Sequence, residues 1–365
     1  MTDNNTTTDI LKNKEEEEEK KEEEEVKDID EEDEEDEDEE EEEESKTVDK
    51  FVVEEHPHIL DLTGHPHTYI GEGYSLPDTL TDIDLTNDKI PKIENINHLV
   101  QLKKLCLRQN MIQVIENVDT LVSLVELDLY DNQIKKIENI NNLPNLTYLD
   151  ISFNELRVIE NLTSKQLPIL KELYLANNKI SEMENLSELT GIKCLELGSN
   201  RFREIKNLNE LINVETLWLG RNKITTISNI NHMANLRILS LQSNRLTEIG
   251  PGLAGLTKLT ELYLSHNGIT NVDGLQTLTS LQILDISANQ VQTLVGIDKL
   301  INLEELWCND NLVEDMDMIE QQINKNVTCL YFERNPVAKH QQYRRIFINI
   351  FPKLKQLDAT YVKRN

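Results

Sequence analysis

Leu102-Lys-Lys-Leu105-Cys-Leu107-Arg-Gln-Asn110 sets the frame for the whole chain. Its order, L-x-x-L-x-L-x-x-N, returns with the Asn at 132, 154, 178, 200, 222, 244, 267, 289, 311 and 335, and an earlier copy ends at Asp88. Neighbouring copies lie 22 residues apart, stretched to 24 before Asn178, 23 before Asn267 and 24 before Asn335. Twelve copies in register mark a repeat architecture, in which each unit buries its apolar face only against its neighbours.

Each column of the frame has a physical task. Leu124, Leu127 and Leu129 point inward, and the residues between them alternate outward with the period of a strand. The Asn both donates and accepts, so it can satisfy backbone groups left open where the chain turns; an ionised Asp88 can only accept, as suits an imperfect terminal copy. Further apolar residues follow at three-residue spacing, as in Ile134, Ile137 and Ile140, which suits short 3-10 turns better than long helices. The expected fold is an α/β leucine-rich-repeat solenoid. It has a curved parallel sheet on the concave face, short 3-10 or irregular segments on the convex face, and a C-terminal capping helix. Twelve strands at about 4.8 Å spacing would give an inner face roughly 50 Å long.

Composition divides the chain further. Asp and Glu outnumber Lys and Arg by 68 to 37, and residues 1–50 hold 28 of the acids against seven Lys. The run Glu15 to Glu44 has too little apolar surface to offset the entropy of ordering it, so residues 1–50 are expected to be a disordered acidic arm. Such an arm repels phosphate, so nucleic acid is not an expected partner. Residues 51–79 are expected to form a linker or N-terminal cap, 80–337 the twelve repeats, and 338–365 the C-terminal cap. In that cap Asn335-Pro336 ends the last coil, and Tyr343, Ile346, Phe347 and Ile350 form an apolar stripe at helical spacing. Leu354 and Leu357 follow Pro352 and can close over the end.

No 18-residue apolar run is present, so no membrane span is expected, and the N-terminus lacks the apolar region of a secretory signal. Cys106, Cys194, Cys308 and Cys329 follow no metal-ligand spacing and read as free thiols on strand positions. Sequons at Asn145, Asn161, Asn185 and Asn326 read as by-products of an Asn-rich repeat.

No catalytic motif is present: there is no phosphate-binding glycine loop, nucleophile elbow or H-E-x-x-H helix. Ser265-His266 is a pair of sequence neighbours and not a triad. His56, His58, His65 and His67 are the one metal-like cluster, but no Cys joins them, and they are read as cap or linker. No enzyme activity, cofactor or metal is expected.

The informative column is the outward residue between the second and third inward positions. It reads Asp128, Asp150, Tyr174, Glu196, Trp218, Ser240, Tyr263, Asp285, Trp307 and Tyr331, and it holds both tryptophans of the chain. Exposed rings of this kind are typical interface anchors, and the interleaved acids favour a partner with basic and apolar groups. Mutual ring packing is the competing explanation. It is expected to be limited, because an acid or Ser separates most of the rings.

Several segments carry a family resemblance. Leu105-Cys-Leu-Arg-Gln-Asn110, Leu127-Asp-Leu-Tyr-Asp-Asn-Gln-Ile134, Leu149-Asp-Ile-Ser-Phe-Asn154 and Leu262-Tyr-Leu-Ser-His-Asn-Gly-Ile269 resemble the leucine-rich-repeat regulatory subunit of protein phosphatase 1, regulatory subunit 7. Glu333-Arg-Asn-Pro336, Gln342-Tyr-Arg-Arg345 and Gln356-Leu-Asp-Ala-Thr360 resemble that family's capping segment, so the likeness spans about residues 80–365. It implies a non-catalytic subunit that binds the phosphatase catalytic subunit through its concave face. The implied contacts are Asp150, Tyr174, Glu196, Trp218, Asp285, Glu305, Trp307 and Tyr331; Tyr263 joins them from the aromatic column. Tyr174 and Trp218 stand where the family often has Phe. The resemblance also implies a ternary assembly with an inhibitory subunit and residence in nucleus and cytoplasm. Lys46-Thr-Val-Asp-Lys-Phe51 has the ingredients of a linear docking peptide in the wrong spacing, so docking is expected from the folded face. The alternative is a nuclear leucine-rich-repeat scaffold of the spliceosomal or acidic histone-binding kind. Those proteins have fewer coils, and the histone-binding kind carries its acid run after the repeats.

Overall fold

The structure, a computed structural model, describes residues 58–364; the acidic arm expected over 1–50, and His56, lie outside the described residues. Among the described residues, fifteen short strands form a single sheet in chain order. They are β1 (Ile59–Asp61), β2 (Asp82–Asp84), β3 (Lys104–Cys106), β4 (Glu126–Asp128), β5 (Tyr148–Asp150), β6 (Glu172–Tyr174), β7 (Cys194–Glu196), β8 (Thr216–Trp218), β9 (Ile238–Ser240), β10 (Glu261–Tyr263), β11 (Ile283–Asp285), β12 (Glu305–Trp307), β13 (Cys329–Tyr331), β14 (Gln356–Leu357) and β15 (Thr360–Tyr361). All neighbours pair in parallel except β14 and β15, whose antiparallel hairpin ends the sheet. The twelve repeats are β2 to β13, and the chain adds a strand before them and a hairpin after them.

Register is set by the leucine frame. The middle residue of every strand lies opposite its equivalent, as in Leu127↔Leu149 and Leu306↔Leu330, so one inward column runs the length of the sheet. Leu124, Leu127 and Leu129 are completely buried, as are Ile134, Ile137 and Ile140. Each such side chain contributes roughly 1.5–3 kcal/mol, and only because the adjacent coil covers it.

The ladder Asn closes each coil. In a representative repeat, Asn132 Oδ1 accepts from Ile112 N at 3.0 Å, while Nδ2 donates to the carbonyls of Leu107, Leu129 and Tyr130. Asp88 cannot copy this. Its Oδ2 lies 3.2 Å from His67 Nδ1, and its enclosed Oδ1 has no hydrogen-bond partner among the described residues. The residue before each ladder position takes a left-handed conformation, with φ between 49° at Asn177 and 64° at Asn87.

A second polar column had no place in the expected frame. Asn95, Asn117, Asn139, Asn161, Asn185, Asn207 and Asn229 also have positive φ, and each donates Nδ2 to a carbonyl of the preceding coil. Asn161 and Asn185 are thereby structural hydrogen-bond donors, whatever their sequon context.

The convex side follows expectation with one departure. Short 3-10 turns occur at Gly250–Leu253, Ile297–Lys299 and Pro336–Lys339. The last repeat instead carries an α-helix, α1 (Met316–Gln322), whose N-cap Asp315 accepts from Met318 N at 3.0 Å. This coil is one of the two 24-residue coils, which leaves room for the turns of a helix. The cap helix α2 (Tyr343–Ile350) seats Phe347 fully buried against Phe332, Tyr343 and Phe351. Among the described residues no helix is long and apolar enough to cross a membrane.

Candidate protein-interaction face

The outward column is in register from strand to strand. Asp150 lies opposite Tyr174, Tyr174 opposite Glu196, and Glu196 opposite Trp218. Further along, Tyr263 lies opposite Asp285, Asp285 opposite Trp307, and Trp307 opposite Tyr331. The parallel sheet therefore brings all the sequence-selected residues onto one face. Glu305 stands at the other outward position of β12.

The expectation of limited ring packing is corrected. Trp218 and Tyr263 stack at 6.3 Å and 17° across the intervening Ser240, which is fully buried. Tyr263 and Trp307 lie 6.3 Å apart across Asp285, and Trp307 meets Tyr331 edge-on at 6.3 Å. Four rings thus form a continuous ladder over β8 to β13. They approach because the intervening residues leave the space free. Ser240 is small, and Asp285 folds back so that Oδ1 accepts from Ser287 N at 2.9 Å and Ser287 Oγ at 2.6 Å. The side chains of Trp218, Tyr263, Trp307 and Tyr331 remain half-buried.

Polar tips are aligned by carboxylates of the neighbouring column. Tyr174 and Tyr263 donate their hydroxyls to Glu172 and Glu261, each at 2.8 Å, and the Trp307 indole donates to Glu305 at 3.3 Å. Burial and the carboxylate bonds raise the phenol pKa of both tyrosines. Tyr331 hydroxyl accepts from Gln356 Nε2, tying the ladder to β14.

The acids divide into two kinds. Asp150 and Asp285 are buried, 6% and 7% exposed, and Asp150 Oδ1 is held by Ser152 N at 2.8 Å. Glu196 is half-buried between Tyr174 and Trp218, and its Oε1 accepts from Gly198 N at 2.7 Å. Burial pushes its carboxyl up to about 7, against the lowering effect of the Gly198 bond and with help from the Asp150 charge. A desolvated carboxyl in that range is poised to take a cation from a partner.

The remaining candidates lie elsewhere. Cys106, Cys194, Cys308 and Cys329 are free thiols, and burial raises the pKa of each. Cys308 follows β12 and is fully buried at an inward position. His58 Nδ1 bonds Thr79 O at 2.8 Å, and His67 pairs with Asp88. Among the described residues no group of three metal-type side chains converges.

Comparison with known proteins accords with this architecture. A leucine-rich-repeat family model matches residues 144–202 and 234–291, and a two-copy repeat model matches 122–164, 212–255 and 279–339. Among solved structures, an internalin (InlF) from Listeria monocytogenes superposes with a TM-score of 0.71 at 24% identity, covering 84% of this chain and 87% of that one. A leucine-rich-repeat protein of Leptospira interrogans gives 0.64 at 26% identity, over 77% of this chain and 80% of its own. These two likenesses speak to the fold. A protein phosphatase 1 regulatory subunit, pprA, of Dictyostelium discoideum is 80% identical over 307 residues, 84% of this chain and 91% of that protein. With that identity over that span, the chain belongs to the leucine-rich-repeat family of protein phosphatase 1 regulatory subunits.

Proposed function

We propose that the protein is a non-catalytic subunit that binds the catalytic subunit of protein phosphatase 1 through its concave face and controls its activity, maturation or targeting. The observation that carries this reading is the half-buried ring ladder Trp218–Tyr263–Trp307–Tyr331, flanked by Glu196 and Glu305. Partly exposed aromatic side chains with carboxylates beside them fit a partner patch of apolar and basic side chains. The name of the Dictyostelium relative supplies the identity of that partner. Tyr174 extends the same surface toward the N-terminus, and Asp150 and Asp285 act through the backbone they hold. Assembly with an inhibitory subunit, and action in both nucleus and cytoplasm, belong to the same proposal.

The test is calorimetric titration of purified catalytic subunit against the wild type and Trp218→Ala/Trp307→Ala. Each anchor carries about 2 kcal/mol or more. Losing both should weaken binding on the order of a thousandfold, with the variant's circular dichroism unchanged. Equal binding by a folded variant would remove the ladder from the interface. A folded wild type that does not bind would remove the partner.

A further inference from the structure

The C-terminal cap reverses the electrostatic character of the chain. Residues 334–364 hold eight Lys and Arg against one Asp, in a protein of net charge −31. Seven of the eight are exposed: Arg334, Lys339, Arg345, Lys353, Lys355, Lys363 and Arg364.

These charges are mostly uncompensated. Among the described residues only Arg334 pairs with carboxylates, those of Asp310 and Glu333. The others that have a hydrogen-bond partner meet neutral groups. Arg345 donates to the Gln342 amide, Lys353 to the Asn326 amide, and Arg364 to the Phe351 carbonyl. A neutral acceptor orients a cation without cancelling its field, so the cap keeps a positive potential beside an acidic body.

The surface also has shape. Gln341, Gln342, Arg344, Arg345, Ile348 and Asn349 line a shallow hollow of about 460 Å³ on the outer side of α2. Arg344 forms one wall and is fixed there, donating to the carbonyls of Leu357, Thr360 and Tyr361 on the terminal hairpin. That clamp joins the hollow to the hairpin carrying Lys355 and Lys363, and Val362 N bonds Lys355 O at 2.8 Å to extend it. Side-chain amides and a guanidinium suit carboxylate recognition, and Ile348 adds an apolar floor.

We propose that this cap is a second interaction surface, separate from the concave face, which docks a short acidic polypeptide segment of a partner protein. A peptide is favoured over nucleic acid or an anionic membrane by scale. An extended polyanion laid on the cap would also run over the acidic coils that precede it, whereas a short segment meets only the basic end.

The test is fluorescence anisotropy of the full-length protein with a labelled synthetic peptide of mixed Glu, Asp and Leu at low salt. Saturable binding is expected, and Lys339→Glu/Arg345→Glu should weaken it about tenfold, since each reversal removes an exposed ion pair and puts a like charge in its place. Trp218→Ala/Trp307→Ala should leave it unchanged, which separates this surface from the proposed phosphatase site. Lys355→Gln/Lys363→Gln, at exposed hairpin positions, serves as the second variant if the reversal variant melts early. Undiminished binding by a folded cap variant, or no binding by the wild type, would overturn the proposal. So would a single-stranded oligonucleotide or phosphatidylserine vesicles binding as tightly as the peptide.

Discussion

Glu196 shows how one residue couples the face to solution conditions. Its carboxyl is raised from 4.5 to about 7, chiefly by burial between neighbouring coils. The folded state therefore holds its proton more tightly than the unfolded chain does. That contribution is fully present below pH 4.5 and is lost as pH rises through about 7. Glu196→Gln keeps an acceptor for Gly198 N and removes the titration. It should melt above the wild type at pH 8, with the two curves converging as pH falls toward about 5. Thermal melts across that range decide the matter, and a gap constant with pH would rule out Glu196 as its source. A partner cation placed on this carboxyl would lower its pKa, so binding should tighten between pH 6 and 8.

At the scale of the element, each coil turns on left-handed residues. Asn supplies that geometry at Asn117 through Asn229, and Gly takes over at Gly274 and Gly296, where φ is 108° and 104°. The substitution follows from space. A Cβ on Gly274 would fall 2.0 Å from Gly250 O of the preceding coil, closer than any real contact allows. Gly274→Ala should therefore cost on the order of 3 kcal/mol, combining backbone strain with a forced separation of coils. Gly64→Ala has the strain, at φ 78°, but no atom within 4 Å, and should cost about 1 kcal/mol. Denaturant titration of both variants checks this, and equal losses would show that the close approach does not matter.

At the scale of the whole solenoid, the described residues form a row of coils, each stabilised by its neighbours. Disturbance at an end should spread inward from that end. Phe347 anchors the C-terminal cap, completely buried among Phe332, Tyr343 and Phe351. Phe347→Ala should cost about 3–5 kcal/mol locally. Hydrogen exchange should accelerate first in β12 to β14, while β3 to β6 keep their protection. Uniform acceleration along the chain would mean that the solenoid unfolds as one unit.

Much of this was readable from the chain. The leucine and asparagine columns recur at a fixed interval, and a coil that buries residues only against its neighbours must stack them in register. The fold, the inward core and the alignment of the outward column follow from that periodicity. Other features depend on distances between coils, which the sequence does not state. Rings two strands apart begin about 9–10 Å from each other, and only the packing of Ser240 and Asp285 lets Trp218, Tyr263 and Trp307 close to 6.3 Å. The α-helix Met316–Gln322 and the second asparagine column likewise answer to the space and the open carbonyls left by the preceding coil. The sequence alone determined the repeat and which residues face outward. The tertiary structure decided which of those residues touch, because contact depends on how far each neighbour yields.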